Sequence, residues 1–394
     1  MRILFVTGGG PATVFALAPL ATAARGAGHE VFMAGNADLL PAITASALPA
    51  VSSTDLPVQH FTTQDRAGRP VDSPLGKSLA EQGHFTGRWF GRLAAASLPA
   101  LREFSKHRRP DLIVGGTTSY AAALLAADLG VPYVRQAWDA IDAHHIHPGA
   151  DEELQPELAE LGRDRLPEPD LFLDVCPPSL RPRHAVPATP LRFVLGNQHR
   201  PLKPWMYTRS DRPRICLTAG SQVTRDARHR LYEFLTRALA ELTPLGAEVL
   251  VAAPDALAPD LHAQHPDVHA GWVPLDVVAP TCDLLVHHGG GVTSLTGMCA
   301  GTPQVIVPGA EMLAGAARAL ADYGAALTLP TGDDTPGALG RACRQMLADD
   351  APRKRARALR EEIQALPTPV ATVRVLEDLT RRQPPAWPRP STPL

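Results

Sequence analysis

Residues 284–297, "LLVHHGGGVTSLTG", set two histidines, His287 and His288, against three glycines directly after an apolar run. Three chemistries suit that grouping: metal ligation, general acid–base catalysis, and a backbone cradle for phosphate. A metal needs a third and fourth ligand, and neighbouring residues at a strand end point to opposite sides, so the metal reading is weak. A glycine turn ahead of a helix offers unpaired N–H groups and the positive end of the helix dipole, which together bind phosphate. One imidazole would add a hydrogen bond, and Thr293 or Ser294 a hydroxyl. A tight turn with one buried histidine is the bland alternative.

A second group is "RQAWDAIDAHHIHPGADEE", residues 135–153. Asp139 follows Trp138 at the end of an expected strand, where a side chain can face a cleft. A carboxylate beside apolar, aromatic surface has its pKa raised and can take a phenolic proton. Asp139 or Asp142 would serve equally as a helix cap or a solvated acid, and His144 or His145 is a rival base. The histidines of "HHIH" lack a further ligand elsewhere, which again speaks against metal.

These groups need elements to hold them. "RILFVT", the glycines Gly8-Gly9-Gly10, the helix-like "FALAPLATAARGAGHE" and "VFMAG" read as strand, loop, helix, strand, the opening of a doubly wound parallel sheet. "DLIVGG" with "YAAALLAADLG" and "PYVRQAW" repeats the unit, and "DLFLDVC" adds a strand. Residues 177–213 turn proline- and arginine-rich, which marks a domain end and linker. "RICLTAGS" then restarts the alternation, and "AEVLVAA", "DLLVHHGGG", "TPQVIVPG" and "ALTLP" continue it. The expected fold class is therefore α/β with two Rossmann-like domains facing across a cleft. Their spans are 1–198 and 214–382, joined by a linker at 199–213 and followed by a proline-rich, extended tail at 383–394. Residues 54–86 read as a long connection with some helix, of a length more often functional than accidental.

Composition narrows the partners. The 394 residues are 45% hydrophobic and 20% charged with a net charge of −2, as in ordinary globular proteins, with no basic field for nucleic acid. No apolar stretch approaches the roughly 20 residues of a membrane span, and the N-terminus reads as a buried strand, not a signal peptide. Five scattered cysteines without a CxxC pair suit a reducing cytoplasm. A homodimer is compatible with all of this.

At 271–308, "GWVPLDVVAPTCDLLVHHGGGVTSLTGMCAGTPQVIVP" resembles the nucleotide-sugar signature of GT-B glycosyltransferases acting on natural products. Trp272-Val273-Pro274, Asp283, His287 to Gly290, Ala300-Gly301 and Pro303-Gln304 all keep the spacing. The opening β–α–β unit matches too, so the likeness covers nearly the whole chain. It implies a donor domain at the C-terminal side and an acceptor domain at the N-terminal side. It implies that His288, the N–H groups of Gly289 and Gly290, and Thr293 hold the diphosphate. Trp272 and Val273 would frame the nucleobase, with Gly220 and Ser221 approaching the phosphates. A core aromatic is the alternative for Trp272, and a helix N-cap for Ser221.

Three departures refine the resemblance. Val292 stands where the family usually has glycine. Met312 and Leu313 replace an Asp-Gln pair that holds sugar hydroxyls, which suits a deoxygenated sugar. Thr13 occupies the place of the histidine base common in the family, so the base must come from elsewhere. Further segments, among them "RPDLIVGGT", "QAWDAID", "HPGADEELQPELAELG" and "PWMYTR", resemble angucycline-type olivosyltransferases of aromatic polyketide biosynthesis. That branch includes C-glycosyltransferases, uses dTDP-2,6-dideoxyhexoses, and has an aspartate base at the position of Asp139.

The resulting expectation is an inverting, metal-independent transfer of D-olivose from dTDP to an aromatic polyketide, with no cofactor and with Asp139 as base. Gly9, Gly10, Phe61, Phe85, Trp89 and Trp138 are the expected acceptor wall, with core packing as the alternative for Phe85 and Trp89. O-glycosyl transfer, a sugar-nucleotide epimerase and a non-catalytic auxiliary protein are the alternatives. A dehydrogenase is disfavoured, because Gly8-Gly9-Gly10 is not GxGxxG and no acid ends "VFMAG".

Overall fold

The computed structural model describes residues 1–382 apart from 73, 75, 141, 142, 184, 221–224 and 331–334, and describes no side chains at 225–231. Ser221, Asp142 and the expected tail at 383–394 lie outside the described residues.

The first sheet is built from β1 (Arg2–Val6), β2 (Glu30–Asn36), β3 (Ala50–Thr54), β4 (Leu112–Gly116), β5 (Tyr133–Gln136), β6 (Leu171–Asp174) and β7 (Thr189–Pro190). Its seven strands run in the order β3-β2-β1-β4-β5-β6-β7, all parallel. Central strands such as β1 and β4 read as unbroken apolar runs because helices cover both faces of the sheet. The second sheet holds β8 (Arg214–Thr218), β9 (Glu248–Ala252), β10 (His269–Gly271), β11 (Leu284–His287), β12 (Gln304–Ile306) and β13 (Ala326–Thr328). Their order is β10-β9-β8-β11-β12-β13, again parallel. The expected α/β fold of two Rossmann-like units is the one observed.

Each sheet reverses its winding once, between β1 and β4 and between β8 and β11, and ligands of such sheets bind beyond the strand ends at that reversal. Gly8 to Gly10 follow β1, and His288 to Gly290 follow β11, so both glycine turns stand at reversal points. The chain also returns to its start. The last helix, Pro369–Arg382, packs on the helix Pro11–Gly26, with a His29–Glu377 contact of 3.0 Å and a Thr380 hydroxyl 3.4 Å from Met1 Sδ.

The connection after β3 is shorter than the sequence implies. A 29-residue helix begins at Leu79, started by a reciprocal capping box between Ser78 and Glu81. Phe85 therefore lies on a helix, not in a loop. Gly83, Gly87 and Gly91 make a stripe on it at four-residue spacing, against which the segment 145–153 lies backbone to backbone. A Cβ at Gly87 would collide with the Ile146 carbonyl and come 2.8 Å from the Ala150 nitrogen; one at Gly83 would be 2.8 Å from the His145 carbonyl carbon. Gly149 answers from the other side, where a Cβ would be 2.9 Å from the His84 carbonyl carbon. This close crossing fixes the loop that carries Asp139 and the histidines.

Asp283 belongs to the signature stretch, yet its role is structural. Both its oxygens lie 2.7 Å from Arg209, Arg353 is 3.1 Å away, and the Arg214 N–H donates to it at 2.9 Å. It thereby ties the segment between β7 and β8 and the helix Asp350–Ala365 to the second sheet.

Candidate active site

The glycine turn after β11 is set by the buried His287. Its Nε2 lies 2.8 Å from Gln304 Oε1, and its Nδ1 accepts the Gly289 N–H at 3.1 Å. Gln304 in turn donates from Nε2 to the Ser294 carbonyl at 3.0 Å. An imidazole that accepts at one nitrogen and donates at the other is neutral, and burial, aided by neighbouring His288, lowers its pKa to about 3. The Gly289 N–H expected on phosphate is thus committed to His287. The open donors are those of the first turn of the helix Gly291–Ala300, which have no partners within the helix. Val292 lies within that turn in ordinary helical backbone, so it needs no glycine; its side chain lines the adjoining cavity.

His288 turns into the cleft. Its ring is wedged between two glycines: a Cβ at Gly220 would stand 2.7 Å from Cε1, and one at Gly290 2.7 Å from Nε2. Gly220 also needs its freedom for a φ of +85°. Burial lowers the His288 pKa to about 4, and Nδ1 has no partner among the described residues. A neutral imidazole with an uncommitted nitrogen beside a helix N-terminus is suited to an anionic ligand, whose charge would raise that pKa again.

Alongside lies a cavity of about 400 Å³ lined by Gly220, Trp272, Val273 and Thr293 from the second unit and by Pro11, Ala12 and Phe15 from the first. One face of Trp272 is covered by the Arg200 guanidinium, 5.1 Å from the ring centroid. Asp255 accepts the Trp272 backbone N–H at 3.0 Å and pairs with Arg200 at 2.5 Å, a bond that holds its own pKa below the usual range. The indole Nε1 is buried without a partner among the described residues. Arg200 escapes sequence reading: it sits in the linker, and only the folded chain lays it on Trp272.

Across the cleft, Asp139 reaches the same helix. A Cβ on Gly291 would stand 2.7 Å from both Cγ and Oδ2 of Asp139. The Trp138 ring lies over Gly116, and the Trp138 N–H reaches Thr117 Oγ1 at 3.4 Å. Trp89 stacks on Phe90 with centroids 3.5 Å apart, and Phe90 stands 6.1 Å from Trp138. Gly9, at φ +94°, faces both Trp89 and Phe90 at 3.5 Å from its Cβ position. Gly9, Trp89, Phe90 and Trp138 are thus brought together, with the three rings buried in the core of the first unit. Gly10 borders open space.

Two expected wall residues stand apart. Phe61 is a core residue, 2% exposed, whose carbonyl accepts from the buried Arg92. Phe85 lines a separate cavity of about 760 Å³ with His84, Arg88, Arg92, His144 and His145. The "HHIH" histidines diverge: the His144 and His145 rings are 5.5 Å apart at 73°, and His147 contacts the Tyr120 hydroxyl at 3.1 Å. Among the described residues no three potential ligands are grouped for a metal, and no helix is long and apolar enough to cross a membrane.

Leu313 packs beside the glycine turn, whereas Met312 meets the helix Leu79–His107. The Thr86 hydroxyl lies 3.6 Å from Met312 Sδ, and a Cβ at Gly289 would be 3.3 Å from Leu313 Cβ.

A cavity of about 400 Å³ beside the glycine turn, and Asp139 against the helix that follows that turn, set the geometry for comparison with known proteins. The erythromycin biosynthesis protein CIII-like proteins match the chain twice, their N-terminal domain over residues 22–220 and their C-terminal domain over 236–379. The chain belongs to this family. It is a glycosyltransferase of the GT-B type. The L-demethylnoviosyl transferase of Streptomyces niveus is 33% identical to this enzyme over 392 residues, covering 98% of this chain and 100% of that one. The 3-alpha-mycarosylerythronolide B desosaminyl transferase of Saccharopolyspora erythraea is 28% identical over 425 residues, covering 98% and 100%. The glycosyltransferase SsfS6 of Streptomyces sp. SF2575, solved with thymidine diphosphate, superposes on this enzyme with a TM-score of 0.83. It is 34% identical, and the match covers 96% of this chain and 99% of that one.

Proposed function

We propose that this glycosyltransferase moves a 2,6-dideoxyhexose, D-olivose in our reading, from a dTDP donor to an aromatic polyketide, with inversion and with a C–C bond to the ring. The unit 1–198 takes the acceptor, 214–382 the donor, and 199–213 joins them. The observation that carries the reading is Asp139 at the first residue of the helix that opens the glycine turn. A base there stands at the junction of acceptor wall and diphosphate cradle.

In this mechanism Asp139 takes the proton of the acceptor phenol. Electron density moves to the ring carbon ortho or para to that oxygen, which attacks the anomeric carbon. The anomeric C–O bond breaks and dTDP leaves; the ring proton then passes to the former phenol oxygen, restoring the aromatic phenol, and Asp139 releases to solvent the proton it took. His288 and the helix N-terminus stabilise the charge on the departing diphosphate. Leu313 presents apolar surface beside the turn, and Met312 precedes it on the same helix start, as suits a sugar lacking hydroxyls.

The second reading is transfer to oxygen. It is favoured by the likeness to a protein named 3-alpha-mycarosylerythronolide B desosaminyl transferase. Incubation with dTDP-olivose and a panel of aromatic polyketides separates the two. A C-glycoside survives acid that cleaves a deoxysugar O-glycoside, so an acid-labile product removes the carbon-transfer reading. Failure to bind dTDP would remove both.

A further inference from the structure

The carboxyl ends of β4 and β5 lie side by side, with Gly116 and Gln136 in register. Polar residues at these two ends are deeply buried: Thr118 is 3% exposed, Ser119 7% and Gln136 2%. Yet Thr118 Oγ1, Ser119 Oγ and Gln136 Oε1 have no hydrogen-bond partner among the described residues. A buried polar atom left unsatisfied forfeits its hydration with nothing in return, and such atoms are scarce in native structures. Three on one pair of strand ends call for a ligand.

Their orientation is held from outside the cluster. Gln136 donates from Nε2 to the Ala16 carbonyl at 3.0 Å, which fixes the amide and leaves Oε1 on the other side. Ser119 is the N-cap of the ten-residue helix Tyr120–Leu129, where serine normally turns its hydroxyl onto a backbone N–H, but it makes no such bond. Its hydroxyl instead lies 3.2 Å from the Cβ position of Gly116, where the Trp138 ring also packs. The Ser119 oxygen thus meets the Trp138 ring at Gly116, the in-register neighbour of Gln136, beside the reversal point of the first sheet.

We propose that Thr118, Ser119 and Gln136 form a polar subsite that binds an oxygen substituent of a flat aromatic acceptor and thereby sets which acceptor atom faces Asp139. This rests on the acceptor reading above. The hydroxyls of Thr118 and Ser119 donate or accept, whereas Gln136 Oε1 only accepts. The complementary group presents an O–H donor next to an acceptor oxygen, as a ring hydroxyl beside a carbonyl does. Pinning that end fixes whether carbon or oxygen meets the anomeric centre.

The test uses full-length enzyme and two probes, 1-hydroxyanthraquinone and anthraquinone, with binding read by quenching of tryptophan fluorescence. Wild type should bind the hydroxylated probe at least tenfold more tightly. The Thr118→Val/Ser119→Ala double variant should lose that preference while keeping the dTDP Kd and a Tm at or above wild type. No preference in wild type, including no binding of either probe, overturns the subsite. So does a preference that survives in the variant, which would mean the oxygens hold only water. The readout involves no sugar transfer, so the functional reading fails separately: the probes would behave as stated while dTDP-olivose gives no product.

Discussion

Asp139 packs against Gly291, the first residue of the helix Gly291–Ala300, so closely that a Cβ on Gly291 would stand 2.7 Å from both Cγ and Oδ2 of the carboxylate. The contact joins the loop after β5 of one sheet to the turn after β11 of the other. A carboxylate at a helix N-terminus is electrostatically favoured, so the two units hold each other at the point where chemistry is proposed.

Alanine at Gly291 tests that relationship. Its φ is not in the left-handed region and alanine favours a helix, so the substitution should leave the fold intact. The added methyl must displace Asp139, and a misplacement of about 1 Å can cost on the order of 10²-fold in rate. We expect Gly291→Ala to lower kcat by about that factor with Tm within a few degrees of wild type. Asp139→Asn should lose about 10²–10⁴-fold in kcat while still binding dTDP. Wild-type turnover in Asp139→Asn would remove it as the base.

The two-unit fold was legible because apolar runs ended by glycine recur in strand–helix alternation, from "RILFVT" to "ALTLP". The glycine turn after β11 was legible in its ordered signature. The capping box "SLAE" at 78–81 was also readable and marks the helix start that a loop reading of 54–86 overlooks. What was not legible depends on the folded chain. Gly289 N–H is spent on His287, Arg200 comes from the segment between the two sheets to cover Trp272, and Phe61, Trp89 and Trp138 are all buried in the core. Residue type carries no record of which hydrogen bond a backbone amide will choose.

The glycine stripe of the helix Leu79–His107 makes a sharper stability prediction. A Cβ at Gly87 meets the Ile146 carbonyl and lies 2.8 Å from the Ala150 nitrogen, both backbone atoms that cannot swing aside. Gly87→Ala should destabilise by about 1–3 kcal/mol, as overpacking does, and lower kcat as the 143–153 segment shifts. Gly10→Ala is the contrast, since nothing lies within 4 Å of its Cβ position. Its Tm should match wild type while the acceptor KM rises. Calorimetry and steady-state kinetics on the pair decide it, and an equal loss of Tm in both would refute the packing argument.

His287 predicts an acid-sensitive fold. Its pKa is about 3 when buried and 6.5 in the reference state, so below pH 6.5 the unfolded chain takes up a proton that the native chain refuses. Stability is therefore full above 6.5 and falls as pH drops from 6.5 towards 3, with a slope of up to about 1.4 kcal/mol per pH unit from this group. Urea unfolding of His287→Asn should show lower stability at neutral pH but a flatter decline across that window. Parallel curves for variant and wild type would show that His287 is not the group responsible.

The proposed nucleobase end of the cavity yields the last prediction. Trp272 keeps one face under Arg200 and holds an unpartnered, buried Nε1. Phenylalanine preserves an aromatic face and removes only the donor, so Trp272→Phe should weaken dTDP binding by about 1 kcal/mol, roughly fivefold. Gly220→Ala should do more. Its φ of +85° disfavours alanine, and the new methyl would stand 2.7 Å from His288 Cε1, pushing the imidazole off the diphosphate. Titration calorimetry with dTDP should rank wild type above Trp272→Phe above Gly220→Ala, the last more than tenfold weaker than wild type. If Trp272→Phe binds dTDP as tightly as wild type, the indole nitrogen does not face the nucleotide, and the ring acts through its surface alone.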